Sequence, residues 1–102
     1  MTYQLVLQLP VSKTTDFDLL LDLESRLIIG LRDNHNVDGH DFGSGEMNIF
    51  IHTGNPNQAF SEIRQLIDFE EFPNSQVAYR NLEENEYTRL WPENCSESFS
   101  VT

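Results

Sequence analysis

Hydrophobic and polar positions follow two periods along this chain, and their succession predicts the order of its elements. In the stretch 3–9, apolar side chains at the odd positions alternate with Gln4, Val6 and Gln8, which is the period of a strand with one buried face. Pro10 ends that strand. Apolar residues then recur three or four positions apart, which predicts a helix ending near Gly30. The apolar positions of this helix are Phe17, Leu20, Leu21, Leu27, Ile28 and Leu31.

The stretch 46–53, EMNIFIHT, returns to the period of a strand. One face carries Met47, Ile49 and Ile51, and the other carries Asn48, Phe50 and His52. Before it, the stretch 34–46, NHNVDGHDFGSGE, combines acidic, amide, histidine and glycine residues. Glycine allows the positive φ angles of tight turns, so we expect FGSGEM to join two strands as a hairpin.

A second helix is predicted directly after this hairpin. Asn55 is placed to cap it, Pro56 suits the first helical position, and Gln58 completes a variant of the capping box. Its apolar stripe is Ala59, Phe60, Ile63, Leu66 and Ile67, and it ends by Pro73. The stretch 75–82, SQVAYRNL, predicts a fourth strand with Val77 and Tyr79 inward, and the stretch 86–93, EYTRLWPE, is a candidate for a further edge strand.

The predicted order is β-α-β-β-α-β, the ferredoxin-like plan of the α+β class. In that plan, two helices cover one face of a four-stranded antiparallel sheet. A chain of 102 residues corresponds to one domain, so we assign 1–102 to a single α+β domain. The polar stretch 93–102 is expected to be a flexible tail.

Three ligand-binding interpretations of the stretch 34–46 fail on spacing. An EF-hand alignment puts Gly45 where the bidentate glutamate belongs, since Glu46 comes one residue late. The residues around His40 lack the spacing of a transition-metal site. A phosphate cradle needs a helix N-terminus, whereas a strand follows these glycines. We therefore expect no metal, no cofactor and no catalytic residue, because acid–histidine pairs on an open sheet lack the pocket that an enzyme needs.

The second face of the predicted sheet is the main candidate for function, because two helices cover only the first. We expect it to present Val6, His40, Phe42, Phe50 and His52, with an apolar centre inside a polar rim, which is typical of an interface. Three occupants remain open: a second copy of the chain, the C-terminal segment with Leu90, Trp91 and Phe99, and a ligand or other partner.

The net charge of the chain limits the classes of partner that it can bind. There are 17 acidic and 6 basic residues, for a formal net charge of −11. Such a surface repels phosphate backbones and anionic membranes, so we expect neither nucleic acid nor membrane as a partner. The negative electrostatic field of this surface favours a basic protein or a cationic ligand as the partner. Cys95 is the only cysteine, which excludes an intrachain disulfide and favours a cytoplasmic location. No signal peptide or membrane span is predicted.

The central stretch DGHDFGSGEMNIFIHTGNPNQAFSEIRQLI resembles a family of small uncharacterised bacterial proteins. In that family, a GxExGSG-like hairpin leads into an apolar strand, a GPD-type turn and an AFxxIxxL helix. The matching residues are Gly39, Asp41, Gly43, Ser44, Gly45, Phe50, Pro56, Ala59, Phe60 and Ile63. The resemblance covers about a third of the chain, and Asp41 stands where glutamate is common. It implies the same fold and brings no functional residue.

Three functions follow as hypotheses. The first is a non-enzymatic binding domain that forms a homodimer through the second sheet face. The second is a small-molecule sensor with its ligand at a dimer interface. The third is an acidic inhibitor, of the immunity or antitoxin type, that covers a basic toxin.

Overall fold

A computed structural model describes residues 2–10, 16–32, 34–43, 45–92, 99 and 101. The elements are β1 Tyr3–Pro10, α1 Asp16–Gly30, β2 His35–Gly43, β3 Glu46–Thr53, α2 Pro56–Leu66, a short 3₁₀ turn Phe69–Glu71, β4 Gln76–Asn81 and β5 Thr88–Trp91. The predicted α+β class is confirmed. Within the described residues, neither helix is both long enough and apolar enough to cross a bilayer.

The described sheet has five antiparallel strands in the order β2-β3-β1-β4-β5. The predicted count of four was wrong, because β5 pairs with the outer edge of β4, as the candidate edge strand at 86–93 indicated. The added strand packs firmly, since the Trp91 ring lies 5.6 Å from that of Phe69. β2 and β5 are therefore the two edges of the described sheet.

The central strand β1 defines the two faces of the sheet. Leu5 is paired with Ile51, and Val6 is paired with Phe50. Directly paired residues of antiparallel strands point to the same side. Leu5 and Ile51 are buried against the helices, so we call their side the helix-side face. The opposite side, with Val6 and Phe50, is the far face.

The core lies between the helix-side face and the two helices. Strands β1, β3 and β4 and both helices contribute large side chains with almost no exposed surface. These include Leu5, Leu7, Leu9, Leu20, Leu23, Leu27, Met47, Ile49, Ile51, Ile63 and Val77. Fully burying one such side chain stabilises the fold by roughly 1.5–3 kcal/mol, so this cluster is the main source of stability.

Local signals place α2 as predicted. The backbone N–H of Gln58 donates to Asn55 Oδ1 at 3.1 Å, and a proline stands at the start of the helix. The two helices approach each other at Gly30, where an added Cβ would lie 2.6 Å from a methyl carbon of Leu66. A larger residue there would require the Leu66 side chain to move.

The predicted hairpin is confirmed, and its first strand contains a bulge. β2 ends at Gly43 and β3 begins at Glu46, with Gly45 at φ +80° in the turn. Counting away from the turn, the pairing shifts between Val37 and Gly39, so Asp38 is an extra residue without its own partner. Gly39 has φ +149°, a conformation that side chains with a Cβ rarely adopt.

The predicted tail, 93–102, falls mostly outside the described residues. Phe99 and Val101 are described, and both are partly buried. The ring of Phe99 lies 4.9 Å from the ring of Tyr87, and the Arg89 guanidinium lies 5.9 Å from the Phe99 ring. This part of the C-terminal segment therefore contacts the end of the sheet at β5.

Candidate binding surface

His40 and Phe42 do not lie on the far face, and this part of the sequence interpretation was wrong. They are paired with Ile49 and Met47, whose side chains are buried against the helices. The Phe42 ring makes an edge-to-face contact with the Phe17 ring of α1 at 5.2 Å. His40 Nδ1 lies 2.9 Å from an oxygen of Glu24, also on α1. Both residues therefore join β2 to α1.

The register of the hairpin is the physical reason for this error. Gly43 is paired with Glu46, so near the turn the even-numbered residues of β2 lie opposite the odd-numbered residues of β3. His40 and Phe42 therefore share the side of Ile49 and Met47. The bulge inverts the alternation only beyond Gly39, toward the start of β2. The bulge brings Asp38 to the far face, where its Oδ2 lies 3.6 Å from His52 Nε2.

The three remaining predicted residues do lie on the far face, but its centre is not bare. Val6 has no exposed surface, and Ala78 beside it has none. Phe50 and His52 are partly exposed. A side chain at the centre of a sheet reaches zero exposure only when other atoms cover that face. The premise of an uncovered second face was thus wrong at its centre.

Two further features accompany the burial of the far face. Gln8 Nε2 donates to Asn48 Oδ1 at 3.0 Å, and both residues are buried. Arg89, which contacts the Phe99 ring, is paired with Ala78 and so belongs to the same face. Among the three occupants left open by the sequence, these contacts agree best with the C-terminal segment.

The most exposed apolar surface lies elsewhere, on α1. The exposed fractions are 41% for Phe17, 37% for Leu21, 62% for Ile28 and 85% for Ile29. Phe17, Leu21 and Ile28 follow helical spacing along one flank, which we call the α1 flank. It runs beside β2, since Phe17 contacts Phe42 at one end and Ile28 lines a shallow cleft of about 220 Å³ with Val37 at the other.

Ile29 lies outside the α1 flank. One helical residue corresponds to a rotation of about 100°, which turns Ile29 away from β2 toward solvent. Its exposure of 85% agrees with this orientation. Ile28 and Ile29 therefore offer a matched pair of the same residue type, one beside the edge strand and one away from it.

The neighbouring edge strand is acidic on its far-face side. Asp41 is paired with Asn48, which places it on the far face, and Asp38 is beside His52 on the same side. Both aspartates are exposed. The segments 16–30 and 35–53, which form this half of the molecule, hold seven acidic residues and a single basic residue, Arg26. Arg26 is itself paired with Asp22 at 3.0 Å.

A buried polar network, which the sequence interpretation missed, fixes the base of β2. His35 Nδ1 lies 2.6 Å from Thr53 Oγ1, and His35 Nε2 lies 3.1 Å from Glu62 Oε2. The Thr53 oxygen also accepts the backbone N–H of Asn55 at 2.9 Å. Since the Thr53 hydroxyl is buried and already accepts a hydrogen bond, this network joins β2, β3 and α2 without presenting a nucleophile. Only the hairpin register, with its bulge, brings His35 opposite Thr53.

No group of three or more His, Cys, Asp or Glu side chains in the described residues is arranged to hold a metal ion. Comparisons with protein-family models, with curated proteins and with solved structures found no match.

Proposed function

We propose that this domain acts by binding a positively charged protein partner, and not by catalysis. The observation that carries the proposal is the α1 flank, where Phe17, Leu21 and Ile28 are exposed in a chain with net charge −11. Exposed apolar side chains in a row beside an edge strand are typical of a contact surface. The surrounding acidic field attracts cationic partners and speeds their association.

The flank replaces the far face as the contact surface for specific reasons. His40 and Phe42 point toward α1, and Val6 has no surface to offer. A homodimer through the far face therefore has less support than the sequence suggested. An inhibitor that covers a basic toxin is one form of the proposed function. The small-molecule sensor has less support, since the clefts among the described residues are widely open to solvent and none encloses a ligand.

We further propose that the domain has a ferredoxin-like plan and a cytoplasmic setting. The order β2-β3-β1-β4 with two helices on one side supports a ferredoxin-like plan extended by one edge strand. The chain's one cysteine, which leaves no intrachain disulfide, supports a cytoplasmic setting.

A selection from random displayed peptides tests the proposal. Wild-type protein should enrich sequences that combine Lys or Arg with apolar residues, and these should lose binding to the Ile28→Glu variant. The Ile29→Glu variant is the control and should bind them like wild type. Enrichment of acidic or purely polar peptides, or equal binding to Ile28→Glu, would refute the proposal.

A further inference from the structure

The α1 flank extends along a strand edge that has no neighbour in the described residues. β2 pairs with β3 on one side only, and the sheet order ends with it. An edge strand presents unpaired backbone N–H and C=O groups, which form a template for another extended chain. The surface beside α1 therefore offers backbone hydrogen bonds as well as apolar contacts.

The two sides of this edge differ in chemistry. On the helix side, the α1 flank presents Phe17, Leu21 and Ile28 above the edge, with the Glu24–His40 contact between Leu21 and Ile28. On the far side, Asp38 and Asp41 present carboxylates. Side chains of a strand point alternately to the two sides of its sheet. A chain added to β2 would therefore place alternate residues against apolar surface and against negative charge.

We propose that the partner adds an extended segment to the free edge of β2, with alternating apolar and basic residues. Its apolar side chains pack against the α1 flank, and its Lys or Arg side chains lie beside Asp38 and Asp41. This inference rests on the proposed function and specifies the binding mode, which is β-strand addition.

The length of the α1 flank matches the length of a short β-strand. From Phe17 to Ile28, α1 rises about 17 Å at roughly 1.5 Å per residue. An extended segment covers that distance with about five residues at roughly 3.3 Å each. The flank meets β2 at both ends, near Phe42 and near Val37, so it accompanies the strand over most of its length.

A second copy of the chain fits this edge poorly. Pairing β2 with β2 of another copy would bring the Asp38 and Asp41 carboxylates of the two copies together. Like charges on neighbouring strands destabilise the pairing. Two molecules of net charge −11 also repel each other over long range. A basic segment removes both penalties.

Synthetic peptides test the binding mode directly. The probe is an eight-residue peptide of alternating Lys and Val, labelled for fluorescence anisotropy, and its control is Lys-Lys-Val-Val repeated twice. Two further peptides carry N-methyl groups on every Val or on every Lys. Alternate amides of a strand point to opposite edges, so only one of these sets can face β2. We expect one N-methylated peptide to lose binding at least about tenfold and the other to keep it.

Matched protein variants locate the contact. Ile28→Glu should weaken the alternating peptide about tenfold, whereas Ile29→Glu should leave its binding unchanged. Asp38→Asn combined with Asp41→Asn should weaken it about five- to tenfold, and Glu83→Gln, far from β2, should not. Circular dichroism confirms that each variant is folded. All these substitutions lie at exposed positions, so folding should be retained.

The outcomes separate the two proposals. If the two N-methylated peptides bind alike, or the control peptide binds as well as the alternating one, strand addition is refuted. The proposed function then survives only when Ile28→Glu still weakens binding. If Ile28→Glu and Ile29→Glu behave alike, the α1 flank is not the contact and both proposals fail.

Discussion

At the scale of single residues, Gly39 decides on which side of the sheet the first half of β2 presents its side chains. Its φ of +149° accompanies the bulge that leaves Asp38 on the far face and places Val37 opposite Ile51 on the helix-side face. An added Cβ would meet no atom within 4 Å, so the requirement for glycine is conformational and not steric crowding. One backbone conformation thus places a carboxylate on one side of the edge and an apolar side chain on the other.

Replacement of Gly39 by alanine should lower the free energy of unfolding by about 1–3 kcal/mol, because a non-glycine residue is strained at this φ. Urea denaturation measures the change. Gly54→Ala is the control, since Gly54 has no positive φ and should lose well under about 1 kcal/mol. Equal losses for the two variants would show that the bulge does not depend on glycine.

At the scale of elements, one face of α1 packs into the core, and a second face remains exposed and available for binding. Leu27 is fully buried, whereas the next residue, Ile28, is largely exposed. The helix therefore keeps apolar side chains that its own core does not use. Exposed apolar side chains lower the solubility of a free monomer. Their presence on α1 is explained when another molecule covers the exposed row.

Alanine at Leu27 should lower the free energy of unfolding by about 2–5 kcal/mol, the range for buried leucine truncations. Alanine at Ile28 should change it by less than about 0.5 kcal/mol, because little of its surface is buried within the monomer. Chemical denaturation of both variants measures the difference. A large loss at Ile28 would indicate that the flank serves folding and would weaken its assignment to binding.

The sequence predicts these elements well where the signal is local. The strands β1 and β3, the cap at Asn55 and the turn at Gly45 all depend on neighbouring residues, and each is confirmed. Neither the register of the β2–β3 hairpin nor the bulge at Asp38 has a local signature, because β2 carries too few apolar residues to show which of its positions face the helices. For that reason His40 and Phe42 were assigned to the wrong face, and the candidate site moved from the far face to α1.

At the scale of the whole molecule, the two faces of the sheet are both buried at their centres. The helices cover one, and the far face is closed around Val6 and Ala78. Burial of this face depends on contacts between distant parts of the chain, which no local pattern shows. Phe99, packed against Tyr87 and Arg89, connects the C-terminal segment to that side.

Phe99→Ala should lower the free energy of unfolding by about 1 kcal/mol, since the ring is partly buried against Tyr87 and Arg89. Leu82→Ala, at an exposed apolar position, should change it by less than about 0.5 kcal/mol. Thermal and urea unfolding measure both variants. Unchanged stability in Phe99→Ala would mean that this contact contributes nothing to closing the far face.

NMR chemical-shift mapping shows most directly whether the partner binds at β2 and the α1 flank. Amide spectra of the wild-type protein are recorded with increasing amounts of the alternating Lys-Val peptide. We expect the largest shifts in β2 and along α1 from Phe17 to Ile28, with amides of β4 and β5 unchanged. Shifts concentrated in β4, β5 or the far-face residues of β1, with β2 and α1 unaffected, would contradict it.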